Sequence, residues 1–166
     1  MEVRSIEAIV QALNEAGVRY LIVGGLAVNA HGYERLTRDV DLVIGLEPAN
    51  IIRGLRALLA IGYRTAIPVT PEEFADPARR ATWRAEKNMI VLKLWSDVHR
   101  RTPIGVFVYE PFDFTREHAA ARRLKVAGDL EAPVVGYEAL IAMKAAAGRD
   151  RDLLDVKALR QLDPYR

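Results

Sequence analysis

Two aspartates one residue apart, Asp39 and Asp41 in RDVDLVIG, are the residues of this chain best placed to do chemistry. Alternate side chains of a strand share a face, so Val40, Leu42 and Ile44 point into a core while both carboxylates point the other way together. Two such carboxylates repel, and burying either one without a partner costs several kcal/mol. A hard divalent cation that takes oxygen ligands from both is a natural partner. Mg²⁺ fits best, because it keeps several waters and is usually completed by substrate phosphates, as phosphoryl and nucleotidyl transfer require. The same pair also fits a solvated strand end with Arg35 or Arg38 as counter-charge.

Upstream, Gly24 and Gly25 close an apolar run and open a helix, which frees backbone N–H groups and lets a phosphate come close. A tight strand-to-helix turn would use the same glycines. Arg35 and Thr37 stand just before the aspartates, where a planar guanidinium could clamp a phosphate or pair with Asp39.

The elements that must position these residues follow from hydrophobic spacing. Residues 5 to 16 repeat Ile6, Ile9, Val10 and Leu13 at helical intervals and are followed by Gly17. RYLIVGG reads as a buried strand, LAVNAHG as a helix, RDVDLVIG as a second strand, and EPANIIRGLRALLAIG as a helix opened by Pro48 and closed by Gly62. Residues 66 to 86, with Pro68, Pro71 and Pro77, read as a loop with a short helix, and NMIVLKLW and IGVFVYE read as strands. EALIAMKAAAG (138–148) and RDLLDVKALRQL (151–162) are helices separated at a glycine. The expectation is one α/β domain over 1–166 with a helical C-terminal segment at about 137–162.

The string GGLAVNAHGYERLTRDVD resembles the signature of the nucleotidyltransferase superfamily that includes DNA polymerase β, in a small bacterial branch similar to AbiEii-type toxins. VFVYEPFDF (106–114) and YEALIAMKAAAGRDRDLLDVKAL (137–159) resemble that branch's C-terminal pattern, so the likeness spans most of the chain. It implies an α/β (α+β) fold, a mixed sheet flanked by helices, and transfer of a nucleotide from an NTP to a hydroxyl of RNA, protein or a small molecule. It further implies that Gly24 and Gly25 hold the triphosphate, that Asp39 and Asp41 bind Mg²⁺ and are catalytic, and that Lys144, Arg149 and Asp152 line the nucleotide end of the cleft. An antitoxin partner would follow from the toxin resemblance. The same Lys144 and Arg149 equally suit a salt-bridged helix corner with Asp150, Asp152 or Asp155.

One departure stands out. The resemblance leads us to expect a third carboxylate, the general base, on the strand beside the D-x-D strand, and that place falls at Gly105. Glu110, redirected by a bulge, or Asp97 or Asp113 in flanking loops could substitute. Without a substitute, the chain would bind nucleotide or a partner without efficient transfer.

Composition narrows the remaining classes. With 24 Lys+Arg against 22 Asp+Glu, the net charge of +2 gives no global attraction to nucleic acid or anionic membrane, so any such attraction must be local. RRATWRAEK (79–87) and KLWSDVHRRTP (93–103) interleave basic residues with Trp83 and Trp95, as an RNA-contacting patch or as solvated faces with inward tryptophans. Cysteine is absent, which excludes disulfides, thiolate nucleophiles and Cys-ligated zinc and suits a reducing cytoplasm. The longest apolar run, YLIVGGLAV (20–28), is far short of the roughly 20 residues of a membrane span. His31, His99 and His118 lack metal-ligand spacing and read as surface or packing residues.

Overall fold

The structure is a computed structural model that describes residues 1–162. Helix α1 (Val3–Glu15) leads into β1 (Tyr20–Val23), and α2 (Gly24–Ala30) follows that strand without a break. Next come β2 (Val40–Ile44), α3 (Pro48–Ala60), β3 (Tyr63–Thr65), α4 (Pro71–Ala75) and α5 (Pro77–Lys87). The chain continues through β4 (Val91–Ser96), β5 (Ile104–Phe107), α6 (Phe114–Ala119), β6 (Arg122–Ala127) and β7 (Leu130–Val134), and then α7 (Tyr137–Ala147) and α8 (Asp150–Leu162).

All seven strands form one sheet in the order β3-β4-β5-β2-β1-β7-β6. The sheet is mixed. β1 runs antiparallel to β2, while β2 pairs parallel with β5 and β1 pairs parallel with β7. This is the α/β architecture that the sequence led us to expect, with a mixed sheet, flanking helices and a helical C-terminal segment.

β1 is buried along its whole length, which is why it reads as an unbroken apolar run rather than an alternating one. In β2, Val40, Leu42, Val43 and Ile44 are buried and only Asp41 is half-exposed. Ile9, Val10 and Leu13 of α1, together with Ile51, Leu55 and Leu58 of α3, supply the core on the face that carries Ile44. Buried Asn50 locks that layer to the sheet: its side chain accepts from Arg19 N and donates to the carbonyls of Arg19 and Gly45. Helices α2 and α7 pack on the opposite face, the one toward which Asp41 points.

The segment expected to be mostly loop holds two helices, α4 and α5. Their prolines sit in the first turn, where the missing N–H would lack a partner anyway. Thr70 and Glu73 form a reciprocal cap on α4, and Asp76 caps α5 by accepting from Ala78 N and Arg79 N. These prolines start helices rather than break them. β3, α6, β6 and β7 have no counterpart in the sequence reading; β6 alternates exposed and half-buried residues at the sheet edge, a weak local signal. Among the described residues no helix is long and apolar enough to cross a membrane.

Candidate active site

The site begins where β1 gives way to α2. Val23 stands opposite Asp41 in the β1–β2 ladder, and Gly24 then takes φ +65°, a left-handed conformation that L side chains rarely adopt. Space is as decisive as conformation here. A Cβ on Gly24 would lie 2.3 Å from Asp41 Oδ2, and one on Gly105, opposite Asp41 on β5, would lie 2.7 Å from Oδ1. Gly24 at the start of α2 and Gly105 on β5 thus clear the space that the Asp41 carboxylate occupies. Gly25 does the same for the segment before β2, since a Cβ there would meet Thr37 Oγ1 at 2.3 Å and Arg35 Nη1 at 3.3 Å. Val23 supplies no side-chain cap to the N-terminus of α2.

The two aspartates differ in their surroundings. Asp39 accepts from Lys93 Nζ at 2.8 Å, and Lys93 lies on β4 directly across from Gly105. Asp41 makes no ion pair among the described residues. Burial holds its carboxyl above the usual range; Lys93 opposes that shift, Asp39 adds to it, and Lys144 and Arg149 lower it from farther off.

Across the cleft, the corner between α7 and α8 is a network of ions. Gly148 ends α7 in a left-handed conformation with its N–H donating to Lys144 O, and α8 begins two residues later. Lys144, 6% exposed, reaches Asp152 Oδ1 and Asp155 Oδ2 at 2.8 Å each. Arg149 donates to both oxygens of Asp152, and Arg35 forms a two-pronged pair with Asp155 at 2.6 and 2.7 Å. Burial alone would raise the carboxyls of Asp152 and Asp155. Hydrogen bonds from Arg149 and Lys144 to the first, and from Arg35 and Lys144 to the second, outweigh burial and hold both below the usual carboxylate range.

These groups share one cleft with two connected recesses. The smaller, about 350 Å³, has Gly24, Gly25, Arg35 and Thr37 on one flank, Asp39 and Asp41 on the floor, and Lys144, Arg149 and Asp152 on the other. The residues assigned from the sequence to metal, nucleotide or catalysis therefore all line it. The larger recess, about 550 Å³, shares the two aspartates and extends along an apolar wall that includes Val91, Phe107, Leu140 and Met143. Both recesses share Lys144 and Arg149, and the larger one adds Lys93 to its apolar wall.

Four further residues belong to this site. Arg38 and Arg151 line the cationic recess, and Arg151 also donates to the Leu36 carbonyl. Lys93 had a visible signal, since Val91, Lys93 and Trp95 alternate with buried Leu92 and Leu94 and so fall on the face of Asp41. Asp155 is the shared partner of Lys144 and Arg35, the helix-corner role that its spacing allowed.

None of the three candidate substitutes for the missing carboxylate lines either recess. Glu110 accepts from Leu46 N at 3.1 Å, Asp113 caps α6, and Asp97 sits in the turn after β4. Among the described residues no group of three His, Cys, Asp or Glu side chains is placed to hold a metal ion. The acidic ligands on offer are Asp39 and Asp41. His99 stacks on Tyr63, His118 stacks on Phe114, and His31 Nε2 lies 2.8 Å from Val135 O, all in packing positions. Trp83 packs against Phe74, whereas Trp95 is 43% exposed with the Arg64 guanidinium over its ring.

No protein-family model matches the chain, and no curated protein is significantly similar to it in sequence. Solved structures do match. One is an antigenic nucleotidyltransferase-like protein from Paracoccidioides brasiliensis, with a TM-score of 0.56 and 17% identity over 97% of this chain and 76% of that one. Another is the lincosamide antibiotic adenylyltransferase LnuA with lincomycin bound, with a TM-score of 0.54 and 15% identity over 92% of both chains. Among the known proteins with which it aligns, the chain thus shares its fold with nucleotidyltransferase-like proteins.

Proposed function

We propose that this protein transfers a nucleotide from an NTP to an acceptor hydroxyl, with Asp39 and Asp41 at the reacting centre. The observation that carries this reading is the meeting of the two β2 carboxylates with the Gly24–Gly25 turn and a cationic flank in one cleft. The fold shared with nucleotidyltransferase-like structures supports it.

The donor set suits one hard divalent cation. Two carboxylates face one cleft, and Gly24 and Gly105 leave room around Asp41 in which any side chain would collide. Asp39 and Asp41 would hold Mg²⁺, which when bound would neutralise charge on the phosphates and on the leaving pyrophosphate. The remaining work falls to the chain's own residues. Gly24 and Gly25 let phosphate oxygens approach the start of α2, and Arg38 and Arg151 offer cationic charge beside it. Lys144 and Arg149, neutralised in part by Asp152 and Asp155, form a fixed electrostatic wall.

The apolar recess, at about 550 Å³, is of the size that binds small molecules, and supports a small hydroxyl-bearing acceptor. LnuA, described as an adenylyltransferase of a lincosamide antibiotic, is the precedent among the structural neighbours. An RNA or protein acceptor is the alternative. The toxin reading and an antitoxin partner belong with it, since expression of the chain would then arrest growth of a bacterial host.

A second reading, a nucleotide-binding module without transfer, is favoured by Gly105, which cannot serve as a base, and by Lys93 beside it. Incubation with each α-labelled NTP and Mg²⁺, with total RNA, protein extract or a small-molecule fraction as acceptor, separates the readings. Label transfer that is lost in Asp39→Asn and Asp41→Asn supports the enzyme. Nucleotide binding with no transfer to any fraction supports the module and sinks the enzyme reading.

A further inference from the structure

Every carboxylate of the cleft except one already has a cation in contact. Asp155 pairs with Lys144 and Arg35, Asp152 with Lys144 and Arg149, and Asp39 with Lys93. Asp41 is the carboxylate without one, and Arg38 and Arg151 line the same recess, so six cations face four carboxylates before any metal enters. Lys93 is the cation of this set that comes from the sheet itself. It stands across Gly105 from Asp41, so that β2, β5 and β4 present carboxylate, glycine and ammonium in one row. A Cβ on Gly105 would lie 2.7 Å from Asp41 Oδ1 and 3.6 Å from Lys93 Nζ, which shows how closely the ammonium approaches the position that lacks a side chain.

A divalent cation held by both aspartates would have to displace this ammonium from Asp39 Oδ2 and would then sit beside a positive charge. Both effects oppose metal binding to the empty protein. Phosphate oxygens change the balance, because they bring negative charge and further ligands to the cation and give the displaced ammonium a new partner. Resting on the nucleotide-binding reading above, we propose that Lys93 is a resident counter-ion of Asp39 that bars divalent cations from the empty cleft, so that metal and nucleotide enter together. Lys93 acts through Asp39 and is therefore a positioning residue.

The test is direct binding of Mn²⁺, followed by its electron paramagnetic resonance signal, with and without a non-hydrolysable NTP. Without nucleotide, Lys93→Met should bind Mn²⁺ at least about tenfold more tightly than the parent chain, whereas Lys93→Arg, which keeps the charge, should stay within about threefold of it. With nucleotide, the difference between the parent and Lys93→Met should shrink. Equal Mn²⁺ affinity of parent and Lys93→Met without nucleotide would overturn the proposal, as would tight Mn²⁺ binding by the nucleotide-free parent. Lys93 is exposed, so the variant should fold, and circular dichroism verifies this. Failure of the NTP analogue to bind any form would count against the nucleotide reading, while the nucleotide-free comparison would still decide the role of Lys93.

Discussion

Replacing Lys144 with methionine should be among the most damaging single changes at this site, and its cost can be reasoned from the contacts. The ammonium is 6% exposed and bridges Asp152 and Asp155, themselves 2% and 1% exposed, at 2.8 Å each. Removing one member of a buried ion pair typically costs about 3–5 kcal/mol, because the remaining charge is left buried and unpaired. Here Asp155 keeps Arg35 and Asp152 keeps Arg149, which points to the lower end, about 3 kcal/mol. For a chain of this length that corresponds to a fall in Tm of about 6–12 °C. Arg149→Ala is the internal control. Its side chain is 78% exposed, and Asp152, although buried, keeps Lys144 when it is removed, so the loss should stay at about 1 kcal/mol. Thermal and urea unfolding of both variants, followed by circular dichroism, give the comparison. If Lys144→Met unfolds within about 1 kcal/mol of the parent, or costs no more than Arg149→Ala, the buried network is not the keystone of the α7–α8 corner.

Other outcomes follow from the same geometry. Gly24→Ala combines a left-handed backbone with a Cβ 2.3 Å from Asp41 Oδ2, and should cost about 2 kcal/mol in urea unfolding while displacing that carboxylate. The carboxyls of Asp152 and Asp155 are held low in the fold, so the stability they give is present above the ordinary value near 3.8 and is lost as pH falls through their lower folded values. Asp155→Asn should therefore flatten the acid limb of the stability curve, as urea midpoints at several pH values will show. The Asp41 carboxyl is raised, chiefly by burial, so its sign is opposite: stability is full below the ordinary value and is lost as pH rises through the raised one. Asp41→Asn should thus stabilise the protein at neutral pH, and this gain should vanish in acid.

The positions that sequence reveals best are those where local and global preferences agree. RYLIVGG and RDVDLVIG are apolar runs bounded by glycine or charge, and they form the two strands that place the site. The D-x-D spacing gave a shared face, and Gly24 and Gly25 mark the turn beside it. Pro71 and Pro77 misled, because proline at a first helical turn and proline in a loop look alike until their caps, Thr70 and Asp76, are recognised. In the hairpin of β6 and β7 only β6 is an edge strand, where few apolar residues alternate among Arg122, Arg123 and Lys125, and Pro133 makes β7 read poorly as a strand. The sequence reading placed Lys93 in a basic patch, and the alternation of its strand indicates only which face it takes. Its pairing with Asp39 depends on β4 lying next to β5, and β5 next to β2, an arrangement that no local pattern encodes.

The central claim is that the two β2 carboxylates and the glycine turn bind a metal-bound nucleoside triphosphate. Calorimetric titration of Mg²⁺ and a non-hydrolysable NTP into the parent chain and into the Asp39→Asn, Asp41→Asn double variant tests it most directly. The account predicts saturable one-to-one binding by the parent that needs Mg²⁺, and at least about a hundredfold weaker binding by the double variant. Equal binding by both proteins, or no binding by the parent with any of the common NTP analogues, would contradict it.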